Sequence, residues 1–282
     1  MIRRVPAILY VAILMVVVSG PAPATARAQV LVADARATLE SALAEFDRAQ
    51  ELQKDQPGAA RQRFLAAAAQ FDAVIGNGAS NGKLEYNLGN CYLRAGRIGE
   101  AILHYRRAQQ FMPRDPLLAE NLKEARNRRI TSIAPRGRNA LLRGLLFVHY
   151  ETSLAMRTKT AIIAYVAFWC ILCLRVFVRH SLITGVLVTL ALISASLGAS
   201  ALVSDFANRH HPDGVVIDMD VVAYKGPGTS YQRRFEQPLQ PGVEFTTQDR
   251  RGDWLNIELP DGKTGWIESS AVRLIPVGAS AL

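Results

Sequence analysis

Residues 252–267 read Gly252-Asp253-Trp254-Leu255-Asn256-Ile257-Glu258-Leu259-Pro260-Asp261-Gly262-Lys263-Thr264-Gly265-Trp266-Ile267. Apolar and polar side chains alternate from Leu255 to Glu258. The Pro260–Lys263 turn follows, and Gly265-Trp266-Ile267 resumes the texture. Period-two alternation between Gly/Pro-rich turns marks short, half-buried β-strands. Working outward, Val215-Val216-Ile217, Val221-Val222-Ala223-Tyr224 and Val243-Glu244-Phe245-Thr246 read the same way, with turns at Lys225-Gly226-Pro227-Gly228 and Arg251-Gly252-Asp253. Five short strands within 213–275 predict a small, partly open β barrel.

The order of these pieces resembles the bacterial SH3 (SH3b) domain. Gly226-Pro227-Gly228-Thr229-Ser230-Tyr231 follows the first strands, then come Gly252-Asp253-Trp254-Leu255 and Gly262-Lys263-Thr264-Gly265-Trp266-Ile267. Lys225 departs from the small or polar residue common there. Trp254 and Trp266 form either a ligand shelf or barrel core, and their strand positions favour packing. Tyr224, Tyr231 and Phe235, on or beside the long loop, are the expected exposed aromatic cluster for a partner. An aromatic groove of this kind holds a proline-rich or cell-wall peptide. The resemblance implies binding of protein or peptidoglycan, or a structural role.

Upstream, from Ala33 to about Arg129, the chain is rich in Ala, Leu, Glu, Gln and Arg, all strong helix formers. Breakers at Gln56-Pro57-Gly58, Gly76-Asn77-Gly78, Gly96 and Met112-Pro113 predict helices near 33–54, 59–75, 83–95, 99–111 and 115–130. Within residues 85–113, Leu88-Gly89-x-x-Tyr92, Ala101, Tyr105, Ala108 and Pro113 resemble a tetratricopeptide repeat. Glu85 stands where that repeat has an aromatic. One such helix pair cannot bury its own face. Phe46, Phe64 and Phe71 are therefore expected to pack a degenerate preceding repeat, and Leu117, Leu118 and Leu122 to cap the stack. The resemblance implies a concave face that holds an extended peptide or a partner helix. Asn87, Asn90 and Arg94, on the first helix of the pair, are the candidate partner-binding residues there. Cys91 is expected to be a small buried side chain.

Arg3 and Arg4, the apolar run Val5–Val18 and the small-residue site Ala26-Arg27-Ala28 predict a secretory signal peptide over 1–28. Two further apolar runs, 161–178 and 182–203, are each long enough to cross about 30 Å of hydrocarbon. Only Arg179, His180 and Ser181 separate them, so a tight transmembrane hairpin is expected. An exported N-terminal region then places 33–130 and 213–275 on the outer, periplasmic side of the cytoplasmic (inner) membrane. Arg143, Arg157 and Lys159 beside the first span run against the positive-inside tendency; the signal peptide is taken to decide.

The net charge of +9 is not spread evenly. Residues 29–125 carry 12 basic and 12 acidic side chains, 126–159 carry eight basic against Glu151, and the chain from Asp205 onward is net acidic. The positive charge is one band, which argues against nucleic acid as a partner. That band falls in the connector 131–160 and the end of the helices. It reads as a flexible linker over 130–138 and a helix on anionic headgroups over 139–150.

No phosphate-binding loop, dinucleotide fingerprint, zinc-protease motif or nucleophile elbow occurs. His210-His211 and Cys170-x-x-Cys173 read as bland, so no catalytic residue, metal or cofactor is expected. The layout as a whole, with Tyr86-Asn87-Leu88-Gly89-Asn90 and Gly99-x-Ala101-Ile102-x-x-Tyr105, resembles the E protein family of the Bacteroides aerotolerance (Bat) operon. That resemblance implies a non-enzymatic envelope scaffold, with von Willebrand A-domain membrane proteins and a MoxR-type ATPase as partners. The alternative is a peptidoglycan-binding protein acting through its SH3b barrel. The expected fold class is multidomain α plus β: helical repeats, a transmembrane hairpin and a small barrel.

Overall fold

A computed structural model of the chain describes residues 24–76, 81–131, 133–134, 152–175 and 181–276. The expected signal peptide lies outside these residues except for Ala24–Ala28. The expected surface helix at 139–150 and the turn at 176–180 also lie outside them.

Five helices come first: α1 (Ala24–Leu52), α2 (Pro57–Gly76), α3 (Gly82–Arg94), α4 (Ile98–Phe111) and α5 (Pro116–Asn127). Their limits follow from local chemistry. Pro57 and Pro116 each open a helix, where a missing N–H costs nothing. The Asn81 side chain accepts from the N–H groups of Lys83 and Leu84, and Asp115 accepts from Leu118. Gly96, at φ +76°, turns the chain out of α3 so that the Arg97 N–H reaches the Tyr92 carbonyl. Each helix packs against the next in sequence, as short links require.

Two cores hold α1, α2 and α3 together. Phe71, Leu88 and Cys91 centre one of them; Phe64 packs with Ala49, Ala60 and Ala95 in the other. Burial pushes the Cys91 thiol up to about 12, so it is an inert packing group. Leu118 and Leu122 are buried as expected, but Leu117 points to solvent. Glu85, the departure from the repeat pattern, is buried and its Oε2 lies 2.7 Å from Nδ1 of buried His104 on α4. The carboxyl group at an aromatic's position is thus matched by a partner across the seam.

Gly89 marks the closest approach of α3 and α4. A methyl there would sit 2.6 Å from two ring atoms of the fully buried Tyr105. Gly89→Ala should cost about 1 kcal/mol net, since overpacking of roughly 1–3 kcal/mol exceeds the helix-propensity gain of roughly 1 kcal/mol. A thermal melt checks this: a Tm equal to or above wild type would mean that the seam yields freely.

The next two helices are α6 (Leu154–Arg175) and α7 (Ser181–His210). Both are long and apolar enough to cross a membrane. They pack on each other as a hairpin, with Ser194 Oγ donating to the Ala161 carbonyl. Ile162, Ile163, Val166, Trp169, Leu192 and Leu202 face outward. Helix α6 begins well before the expected 161. Arg157, expected in the connector, lies on α6, buried against α7, where its Nη1 donates to Ser200 Oγ at 2.8 Å. Helix α7 runs beyond the expected 203 to His210, leaving only His211 and Pro212 before the first strand.

Five strands follow: β1 (Asp213–Val216), β2 (Glu244–Arg251), β3 (Trp254–Glu258), β4 (Thr264–Glu268) and β5 (Val272–Leu274). They form one antiparallel sheet in the order β4-β3-β2-β1-β5. Gly252, at φ +57°, makes the tight β2–β3 turn. Two expectations need correction. Val221–Tyr224 is not a regular strand; it makes isolated bridges to Leu239, Arg233 and Trp266 within a turn-rich loop. Val272–Leu274 is a strand, but three residues are too short to show a period. Val216, Phe245, Leu255, Ile257 and Ile267 fill the barrel.

The barrel and the helices share a core. Val215 and Ile275 are buried in one cluster with Ile102, Leu103, Tyr105, Leu118 and Leu122. Helix α4 comes close enough that a methyl on Gly99 would lie 2.9 Å from the Val216 carbonyl oxygen.

Candidate protein-binding surfaces

The face formed by α1, α3 and α5 holds a cavity of about 370 Å³. Its lining runs Phe46, Gln50 and Gln53 from α1, Tyr86, Asn90, Leu93 and Arg94 from α3, and Asn121, Glu124 and Arg128 from α5. On α3, Tyr86, Asn90 and Arg94 stand four residues apart, so they form one stripe down the helix. The stripe includes two of the three expected partner-binding residues. Asn87 lies about a quarter turn round the helix, is half-buried and does not line the cavity.

Asn90 and Arg94 differ in what they leave available. Arg94 is engaged: its Nη1 donates to Gln53 Oε1 at 2.7 Å, and its guanidinium lies about 6 Å from the Phe46 and Phe64 ring centres. It fastens α3 to α1. Asn90 Oδ1 accepts from the Tyr105 hydroxyl at 2.8 Å and from Asn121 Nδ2 at 2.9 Å. Asn121 Nδ2 also donates to the Tyr86 hydroxyl at 2.9 Å. Burial pushes the Tyr105 hydroxyl well above its ordinary pKa, so it remains a donor.

Asn121 was not among the sequence candidates. Its signal was a polar residue at the edge of the Leu118–Leu122–Ala125 stripe of α5. No sequence pattern placed that edge beside α3.

On the barrel, the expected cluster separates. Phe235 packs against the barrel core, and Tyr231 is half exposed with its ring over Gly226. Tyr224 meets Trp254 instead, edge to face at 5.7 Å. Trp254 shares the outer face of β3 with Asn256 and Glu258 and is partly exposed. Trp266 is buried, and the Arg251 guanidinium lies 5.2 Å above its ring. The surface aromatic pair is therefore Tyr224 with Trp254, flanked by Arg251.

A third surface is already occupied. Glu244, at the start of β2, is held by arginines from two helices and the turn after them. Arg126 of α5 donates to both carboxylate oxygens at 2.8 Å, Arg106 Nε of α4 lies 3.3 Å away, and Arg129 Nη1 lies 3.7 Å away. Arg106 also reaches Asp213 of β1 at 2.7 Å. Burial alone would raise the Glu244 pKa, but the Arg126 hydrogen bonds and the three positive charges hold it below the usual carboxylate range. Two residues at the start of the basic band, Arg126 and Arg129, thus bind the barrel, while Arg128 pairs with Glu124.

Among the described residues no group of three or more His, Cys, Asp or Glu is placed to hold a metal ion. His211 Nδ1 lies 3.1 Å from the Thr247 carbonyl, and Cys170 and Cys173 lie exposed on α6.

The bacterial SH3 domain family matches residues 218–273. That range contains Tyr224, Trp254 and Trp266. No curated protein and no solved structure matches the chain. A domain of this kind is consistent with binding of protein or cell wall.

Proposed function

We propose that this chain is a non-enzymatic, membrane-anchored envelope scaffold that holds a protein partner in the α1–α3–α5 cavity. The single observation that carries this reading is the cavity itself: three helices converge on it, and their amide and aromatic groups line it. In this reading α1–α5 are tetratricopeptide-like, and a cleaved signal peptide exports them. The resemblance to the Bat operon E family supplies the partner class: a von Willebrand A-domain membrane protein or a MoxR-type ATPase of a stress-tolerance complex.

The shared core supports this reading: helices before the hairpin and strands after it bury side chains together, an arrangement that two crossings by α6 and α7 would allow. The leader assigns both to the periplasmic side. Single cysteines at exposed Ser41 and Ser270, with the native cysteines replaced, should both react with a membrane-impermeant maleimide in spheroplasts. Labelling of only one would break the arrangement.

The partner test uses the full chain in mild detergent. Gln50→Trp fills the cavity from an exposed position of α1. A von Willebrand A-domain protein or ATPase retained by wild type should be lost from this variant. An identical set on both would remove the cavity from the account.

The partly exposed Tyr224–Trp254 pair, within the matched SH3 range, favours a second reading: peptidoglycan binding by the barrel. Trp254→Ala should then abolish co-sedimentation of the full chain with purified sacculi. Unchanged sedimentation would end that reading.

A further inference from the structure

We propose that the α4–α5 turn and the adjoining start of α3 form a lipid-contact surface, which lies on the headgroups beside the hairpin and takes up their anionic phosphate. The inference rests on the reading above that α6 and α7 cross a bilayer, and it concerns how the outer part sits on that bilayer. It is carried by the direction of α4. Helix α7 enters the barrel without a loose joint: the His211 N–H donates to the Ala207 carbonyl at 2.7 Å, and the Thr247 N–H donates to the Pro212 carbonyl at 2.9 Å. Asp213 is therefore the end of β1 nearer the hairpin, and Val216 the end farther from it. Gly99, near the start of α4, lies against the Val216 carbonyl, and Arg106, two turns later, reaches Asp213 at 2.7 Å. So α4 descends along β1 towards the hairpin. It continues to Phe111 and meets α6 itself. A headgroup layer is about 5–7 Å thick, so a helix that descends until it meets a spanning helix ends in or beside that layer.

The side chains gathered at this end suit that position. Gly82, which opens α3, packs against Phe111 and Met112, so Lys83 stands beside the end of α4. Lys83 and Arg114 are exposed. Arg107 pairs with no carboxylate among the described residues; its Nη2 lies 3.5 Å from the Leu274 carbonyl. Asp115, the acid of the turn, caps α5 through the Leu118 N–H. Leu117, on the first turn of α5, is 61% exposed, whereas Leu118 is buried. A bare leucine among basic residues suits a headgroup boundary, where its methyls reach acyl chains and the cations reach phosphate. Helices α3 and α5 both start at this end, so both rise from the bilayer. Arg94, at the other end of α3, meets Gln53, which puts the α1–α2 turn and Asp55 on the far side.

The test uses the full chain, its native cysteines replaced, in nanodiscs of zwitterionic lipid with a minority of anionic lipid. A nitrobenzoxadiazole probe is attached in turn at Leu117→Cys, Asp55→Cys and Leu192→Cys, all exposed positions. Lipid with a headgroup nitroxide should quench the probe at 117 at least about twofold more than the probe at 55, because the layer it marks is only about 5–7 Å deep. Lipid with an acyl-chain nitroxide should quench the probe at 192. Quenching at 192 without the excess at 117 would overturn the proposal and leave the membrane reading intact. No quenching at 192 would sink the membrane reading, and the lipid surface with it.

Phosphate recognition has its own readout. The protein with native Lys83, Arg107 and Arg114 should melt higher in these nanodiscs than in wholly zwitterionic ones, and the difference should shrink as salt rises. The triple variant Lys83→Gln/Arg107→Gln/Arg114→Gln should remove that difference, whatever it does to the Tm itself. Equal melting of the native protein in the two lipids, or a difference that survives the triple variant, would overturn the assignment of phosphate to this end of the molecule.

Discussion

Glu244→Gln should lower the stability of the unit formed by α1–α5 and the strands by about 3–5 kcal/mol, the range for removing one member of a buried charge network. The variant leaves Arg126 and Arg106 beside an amide, and Arg129 half-buried among like charges. The Glu244 side chain is only 17% exposed, so solvent screening removes little of the effect. A melt in mild detergent, followed by tryptophan fluorescence for the barrel and far-ultraviolet circular dichroism for the helices, measures it. Both signals should move down together. A wild-type Tm would mean that water replaces the carboxylate without loss.

The same group sets a pH dependence. Its folded pKa lies below the ordinary carboxylate value of 4.5, so the unfolded state takes up the proton first on acidification. The stabilisation is therefore fully present above the unfolded value and disappears as pH falls through the folded one. The gap between wild type and Glu244→Gln should be constant near neutrality and close in acid. A gap that widened in acid would reverse the sign and refute the assignment.

Gly99→Val should uncouple the two domains. The added Cβ would meet the Val216 carbonyl oxygen at 2.9 Å, with the Gly242 nitrogen and Pro241 Cβ each at 3.3 Å. Two of these are backbone atoms and cannot rotate away. A cost of about 3 kcal/mol, at the upper end of overpacking, falls on the contact and not on either core. The single melt should split into two, one reported by tryptophan and one by helix content. A single undivided transition would show that the contact is softer than its geometry implies.

The parts of this fold that were legible in sequence are those with a local cause. Breakers at Pro57, Gly96 and Pro113 divide the helices because each acts on its own residue or its neighbour. Trp254 to Glu258 reads as a strand because Leu255 to Glu258 alternate and a Gly-Asp turn precedes them. Val272–Leu274 carries no such alternation, and its pairing with β1 is set by the sheet and not by its own pattern. The cavity was half legible. Asn90 and Arg94 could be picked from one helix, but Asn121 joins them only because α5 folds back beside α3. Arg126 read as part of a basic band at the end of the helix expected near 115–130, since nothing local announces that it meets a carboxylate 118 residues later. Phe235, expected to be exposed, is partly buried against the barrel core, and Trp254, expected to pack, does so on Tyr224 while staying partly exposed, because the loop before β2 bridges Tyr224 to Trp266 and so chooses which rings share a face.

That distance of 118 residues also orders events during synthesis. Arg106, Arg126 and Arg129 are made well before Glu244, and both apolar helices emerge between them. Until β1 and β2 exist, the surface of α4 that will carry Val215 and Ile275 stays open to solvent. If α6 and α7 cross the bilayer, only a chain in which both have crossed returns the strands to the compartment where α5 waits. A hairpin inserted by one helix alone would strand the barrel on the far side, with Glu244 and the arginines each left without a counter-charge. Closing the interface is then a late event: the ion network can form only once both helices have crossed.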